Sequence, residues 1–250
     1  MQPTQVLVRV QAKGGKFVGP DGGYTQVTLR DAQSGAVLAQ GVAAGGSGQL
    51  SGAFSPAATR QAIVTPLYGT QTVLWLSATP GQPTAGLTAS LQLDAPTRVE
   101  FSAAGITDGQ PNGHTVAQTM YVQPGVDLTA EPGVVLVLPG LIVKDVAATA
   151  TPDGASVGVT AFVSMMCGCK IDPSLPWLPQ AFTVTATVAD AAGIVVGQAT
   201  LTCQGMSVYA SAQPVAVPAP GTYTVTVNAV QAAEANVGSG SASVTVSAAR

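Results

Sequence analysis

Charge is what this sequence has least of. Asp, Glu, Lys and Arg make up 8% of its 250 residues, against roughly 25% in an average soluble domain. The basic residues (Arg9, Lys13, Lys16, Arg30, Arg60, Arg98, Lys144, Lys170, Arg250) are scattered, and the net charge is −3. Such a chain offers no patch for phosphates, which argues against nucleic acid as a partner. Long hydrophobic runs are missing too. The longest, Gly133 to Val143 and Ala155 to Cys169, fall short of the roughly 18 residues a spanning helix needs, so no membrane span is expected. Helical periodicity is absent: 29 glycines and 18 prolines interrupt every window in which apolar residues could recur at i, i+3, i+4 and i+7. The start, Met1-Gln2-Pro3-Thr4-Gln5, carries neither a basic segment nor an apolar signal core.

What is abundant is apolar and hydroxyl-bearing. Hydrophobic residues make up 46% of the chain, enough for a substantial core. With so little charge, Thr, Ser, Gln and Gly must supply the polar surface, a habit of extracellular and surface-assembled β-proteins. Low-charge surfaces also suit a subunit whose faces are covered by neighbours. Composition leans toward an extracellular or cell-surface location and the bare N-terminus toward the cytoplasm; the extracellular or surface location is the one expected, with the cytoplasm as the alternative.

Alternation with a period of two runs through the chain. Val6, Val8 and Val10 share a face, as do Val27 with Leu29, then Leu87, Ala89, Leu91 and Leu93, then Val99 with Phe101. In the second half the series are Val157, Val159, Ala161, Val163 and Met165; Phe182, Val184, Ala186 and Val188; Ala199, Leu201 and Cys203; Tyr223, Val225 and Val227; Val244 and Val246. Turn residues separate them at Asp21-Gly22-Gly23, Ser34-Gly35, Pro80-Gly81, Asp108-Gly109, Pro152-Asp153-Gly154 and Pro220-Gly221. This predicts an all-β protein of two tandem antiparallel β-sandwich domains, residues 1–139 and 140–250, parted at Pro139-Gly140.

Two segments carry resemblances. Gly221-Thr222-Tyr223-Thr224-Val225-Thr226-Val227-Asn228-Ala229, followed by the strand from Asn236 to Val246, resembles the closing hairpin of bacterial immunoglobulin-like (Ig-like) or fibronectin-III-like modules. That likeness covers residues 141–250 and implies an Ig-like sandwich. Gly19 to Gly48, with Val27-Thr28-Leu29 and Ser34-Gly35-Ala36-Val37, is similar to carboxypeptidase-regulatory-like β-modules. Both imply a fold and leave the chemistry open.

The chemistry-bearing residues are few. Met165-Met166-Cys167-Gly168-Cys169 is followed in the same predicted domain by Cys203 and Met206. If the strand stays regular, Met165, Cys167 and Cys169 face inward, as does Cys203. Soft sulfur ligands select Cu(I), so Cys167, Cys169, Cys203 and Met165 form a candidate copper or redox site. Against this stand two plainer readings, core packing and a disulfide of Cys167 or Cys169 with Cys203, and these are preferred. Zinc lacks a fourth ligand nearby.

His114, the one histidine, is expected in a loop ahead of a strand from Val116 to Val122, solvated or capping a turn. No Gly-x-Ser-x-Gly elbow accompanies it. Asp94, Glu100, Asp145 and Asp172 stand apart, as turn caps or edge guards. Trp75 reads as core. Trp177, in the Pro-rich stretch Asp172 to Pro179, would cover the open end of a sandwich or anchor a partner or a sugar.

No set of nucleophile, base and oxyanion donors assembles, so the chain is not expected to be an enzyme. The expected function is a non-catalytic structural or interaction protein, with protein partners or a homo-oligomer. A copper-binding or redox accessory role and a carbohydrate- or ligand-binding module are the alternatives.

Overall fold

The structure, a computed structural model, describes residues 3–47, 84–130 and 132–248. Trp75 and the Pro80-Gly81 turn lie outside the described residues. The chain is all-β and divides into two compact units. Unit 1 comprises Met1–Pro139 together with Met166–Cys169, and unit 2 comprises Gly140–Met165 and Lys170–Arg250.

Unit 1 holds β1 (Thr4–Ala12), β2 (Tyr24–Asp31), β3 (Val37–Val42), β4 (Leu87–Leu91), β5 (Thr97–Thr107), β6 (Gln110–Val122), β7 (Asp127–Leu128) and β8 (Val134–Leu138). In one sheet β1 is central, antiparallel to β4 and parallel to β7 and β8. The second sheet runs β3-β2-β5-β6, antiparallel throughout. The alternation places Val6, Val8, Val10, Val27, Leu29, Val99 and Phe101 at 0% exposure. Burying side chains of this size contributes about 1.5–3 kcal/mol each. Asp108 (φ 51°) and Gly109 (φ 78°) turn β5 into β6, the paired left-handed residues that match the twist of a hairpin.

Unit 2 holds β9 (Leu141–Ala150), β10 (Ser156–Met165), β11 (Thr183–Ala189), β12 (Val195–Gly205), β13 (Val208–Ser211), β14 (Val215–Ala216), β15 (Gly221–Gln231) and β16 (Asn236–Val246). All are antiparallel in one eight-stranded sheet ordered β14-β10-β13-β12-β11-β15-β16, with β9 on β10. The sheet curls over its own apolar face, where Val157, Val159, Val163, Val184, Val188, Val225 and Val227 are sealed. The curl brings the start of β16 against β9. A Cβ on Gly238 would stand 2.2 Å from the Leu141 carbonyl oxygen, so glycine is what permits the approach.

At the foot of β15, Tyr223 Oη donates to the Ala219 carbonyl at 2.6 Å. A strand tyrosine bonded back to the chain a few residues upstream is a recurrent device of Ig-like sandwiches. At the start of unit 2 the fully buried Asn236 accepts from Gly140 N–H at 2.9 Å and donates to Gln231 Oε1 at 2.9 Å.

Local expectations for His114 and for the end of β10 differ from the structure. His114 lies within β6, not in a loop, because the hairpin closes tightly at Asp108-Gly109 and β6 begins at Gln110. The inward alternation of β10 stops at Met165. Met166–Cys169 forms a turn that packs in unit 1, whereas the Cys-x-Cys was expected in the C-terminal domain.

Candidate functional site

The sulfur-bearing turn is built by backbone fit. Gly168 has φ +73°, and a Cβ there would lie 2.1 Å from the Asp21 carbonyl carbon. A Cβ on Gly22 would lie 2.2 Å from the Met166 carbonyl oxygen. Two glycines therefore face each other across a contact that no other residue type fits. Gly15 makes a third close approach, its Cβ position 3.1 Å from Cys167 Sγ. Around the turn Met165 and Met166 are at 0% exposure, Cys167 at 1% and Cys169 at 8%.

Within the turn the Cys167 and Cys169 sulfurs lie 2.23 Å apart, at disulfide distance. The structure thus brings together two of the three cysteines. Cys203 stands as a free, half-buried thiol on β12, donating to the Ile171 carbonyl at 3.7 Å. Its expected pairing with Cys167 or Cys169 is not the arrangement found, because β10 ends before those two residues and the turn carries them into unit 1. Among the described residues no group of three or more His, Cys, Asp or Glu gathers in a way that could hold a metal ion.

A second constellation joins the Pro-rich stretch to the β12–β13 hairpin in unit 2. Met206 and Ser207, with φ of 48° and 73°, form the two-residue turn. Ser207 Oγ accepts from Ile171 N–H at 2.9 Å, and Ser207 N–H donates to the Ile171 carbonyl at 2.9 Å. Asp172 accepts from Ser174 Oγ at 2.6 Å and Ser174 N–H at 2.9 Å through Oδ1, and from Met206 N–H at 2.7 Å through Oδ2. These bonds hold its carboxyl below the usual aspartate range, the Ser174 hydroxyl contributing most. Asp172 is a turn cap, and it leaves Met206 52% exposed at the hairpin tip.

Trp177 is 8% exposed and bridges to Ile171. Beside Cys203 on β13, burial raises the Tyr209 phenol above its ordinary value, with the Cys203 thiol adding to the shift. Its Oη is buried without a hydrogen-bond partner among the described residues. His114 N–H donates to Asn112 Oδ1 at 3.1 Å within β6.

The broadest features are sheet faces. On the outer face of unit 2, cross-strand rows read Thr200–Thr185–Asn228–Ser239 and Gln198–Thr187–Thr226–Ser241, with Thr224–Ser243 and Thr222–Thr245 beyond. They form a lattice of uncharged hydroxyl and amide groups. At its margin Val230 (37% exposed) is paired with Val237 (55%). In unit 1 the outer face of β2, β5 and β6 forms a shallow groove of about 370 Å³ floored by Gln26, Thr28, Ser102, Ala104, Thr115 and Ala117. Sequence reasoning missed these faces because it followed the buried half of each alternation; the exposed Thr and Ser residues were the signal.

No family model matches the chain, and no curated protein matches it. Among solved structures it is similar to a tetra-tandem repeat from the extending region of a large adhesion protein, at 16% identity and TM-score 0.32, covering 98% of this chain. The chain spans 50% of that protein's length. It is also similar to the chicken interferon gamma receptor alpha chain, at 12% identity and TM-score 0.31, covering 98% of both chains.

Proposed function

We propose that this chain is a non-catalytic structural and interaction protein, a subunit or accessory module of a surface or multi-protein assembly. The observation that carries this reading is the uncharged outer face of unit 2, where four rows of Thr, Ser, Asn and Gln side chains span the strands beside an exposed Val230–Val237 pair. Covering such a face strips no ions of water, and protein interface cores are likewise depleted of charge. Paired sulfurs suit an oxidising compartment, which favours the cell exterior. Size-exclusion chromatography with mass measurement tests the reading, alone and with co-purifying proteins. Complexes above the single-chain mass are expected. A strictly monomeric, non-associating chain overturns it.

A second reading, soft-metal binding, draws support from one observation: two cysteine sulfurs lie side by side in the turn that follows buried Met165 and Met166 along the chain. Reduction would free two thiolates able to take Cu(I). Anaerobically reduced protein is then expected to bind copper, and binding no tighter than about micromolar dismisses the idea.

A further inference from the structure

Sheet edges are where a β-protein must be guarded, since each edge carries a row of unpaired backbone N–H and C=O groups. Among the described strands most edges are. β3 has six residues and a register break at Leu29/Arg30, β4 has five residues, and β14 has two. The first half of β16 is covered by β9 at Gly238 and Gly240.

β6 is different. It has thirteen residues, Gln110–Val122, with no charged side chain, and among the described strands it pairs with β5 alone. Its outer-face residues Thr115, Ala117, Thr119 and Tyr121 are all exposed, Tyr121 at 69%, and Met120 on the other face is 36% exposed. Pro111 and a register break opposite Ala104–Ile106, where Gly113 has φ 82°, interrupt its first part, and the regular edge runs from Thr115 to Val122. A long, neutral edge of this kind is a template for another strand.

We infer that β6 is the interface through which two copies of this chain associate, edge to edge and antiparallel about a two-fold axis at Ala117. The inference rests on the interaction-module reading above and names the surface and the partner. A second copy fits because the strand is complementary to itself. With Ala117 opposite its symmetry mate, Thr115 faces Thr119 of the other copy, a hydroxyl pair that stabilises antiparallel strands.

Neutrality removes the usual barrier, since like charges meeting across a strand pair would oppose it. Arg98 and Glu100 sit one strand inward, beside Tyr121 and Thr119. The two-fold sets the Glu100–Thr119 row against Thr115 and Ala104, so Glu100 does not meet its own kind along that row. The small floor residues Ser102, Ala104, Thr115 and Ala117 meet across the axis. The shallow grooves of two copies would join, and a four-stranded sheet in each would become one of eight strands.

The test uses the whole chain in a Cys203→Ser background. By size-exclusion with mass measurement, the parent protein is expected at twice the chain mass. Ala117→Lys sets two ammonium groups opposite each other on the axis and should weaken the dimer at least about tenfold, with an unchanged circular dichroism spectrum. The register is read by oxidation. Ala117→Cys should cross-link to its symmetry mate and Thr115→Cys alone should not, whereas Thr115→Cys mixed with Thr119→Cys should. A monomeric parent overturns the proposal, and capture of other proteins by that monomer would leave the interaction-module reading standing. A dimer indifferent to Ala117→Lys, without the cross-link, shows that self-association uses another surface and equally overturns it.

Discussion

At the scale of single residues, the least replaceable positions are glycines that let two stretches of backbone touch. Gly168 combines φ +73° with a Cβ position 2.1 Å from the Asp21 carbonyl carbon, whereas Gly35 has a similar φ of +74° and open space around it. Comparing the two separates backbone conformation from crowding. Gly35→Ala should cost about 1–2 kcal/mol, the left-handed penalty alone. Gly168→Ala should cost at least about 3 kcal/mol, because Asp21 and Gly22 must also move. Urea unfolding checks both, and equal losses would mean that the turn is not seated on Pro20–Gly22. The sequence showed that Cys167-Gly168-Cys169 was unusual, but not where it packs. Regular alternation carried past Met165 puts both cysteines on an inner strand face, and only the three-dimensional fit of Gly22 to Met166 reveals the turn.

Asp172 was legible as a turn cap, though not its reach to Met206 N–H some thirty residues along the chain. Its carboxylate is favoured by the Ser174 hydroxyl first, then by the Met206 and Ser174 amides. The folded protein thus holds the charged form more tightly than the unfolded chain does. The corresponding stabilisation is present above the ordinary aspartate value of about 3.9 and is lost as pH falls through the lowered folded one. In an NMR titration, the Ser174 and Met206 amide protons should hold steady through neutral pH and shift together only below that ordinary value. A midpoint at or above it would contradict these bonds, and Asp172→Asn should abolish the coupled shift.

At the scale of elements, alternation was the dependable signal because burial on one face is what selects valine at every second position. Val157, Val159, Val163, Val225 and Val227, read as inward, are at 0–1% exposure. Pairing across distance was not legible. Nothing in Val134 to Leu138 announces that it runs parallel to β1, since a mostly buried strand reads alike in either direction. The Gly-x-Tyr start of β15 is an intermediate case, where the residues suggested a closing Ig-like hairpin and the structure supplies the bond from Tyr223 to Ala219. That bond ties the Pro218–Pro220 entry to the strand. Tyr223→Phe keeps the ring in the core and removes one partly buried hydrogen bond, so it should lower stability by about 1 kcal/mol. Thermal unfolding beside the parent protein would show it, and an unchanged midpoint would mean that water replaces the bond without loss.

At the scale of the whole molecule, low charge links composition to behaviour. With 8% charged residues and a net charge of −3 over 250 residues, neither steering nor repulsion by charge governs how copies meet. Association through hydroxyl rows or a neutral strand edge must draw on backbone hydrogen bonds and buried apolar area, and simple salt screens neither. Between about 0.05 and 0.5 M NaCl, the dissociation constant for self-association should therefore change by less than about twofold, where a charge-driven contact weakens progressively. Sulfate, excluded from protein surface, should tighten it. Sedimentation across both salt series decides the matter. A steep loss of association in NaCl would mean that the scattered ions, Arg98 and Glu100 beside β6 foremost, do the holding, and that the uncharged faces are only solvated surface.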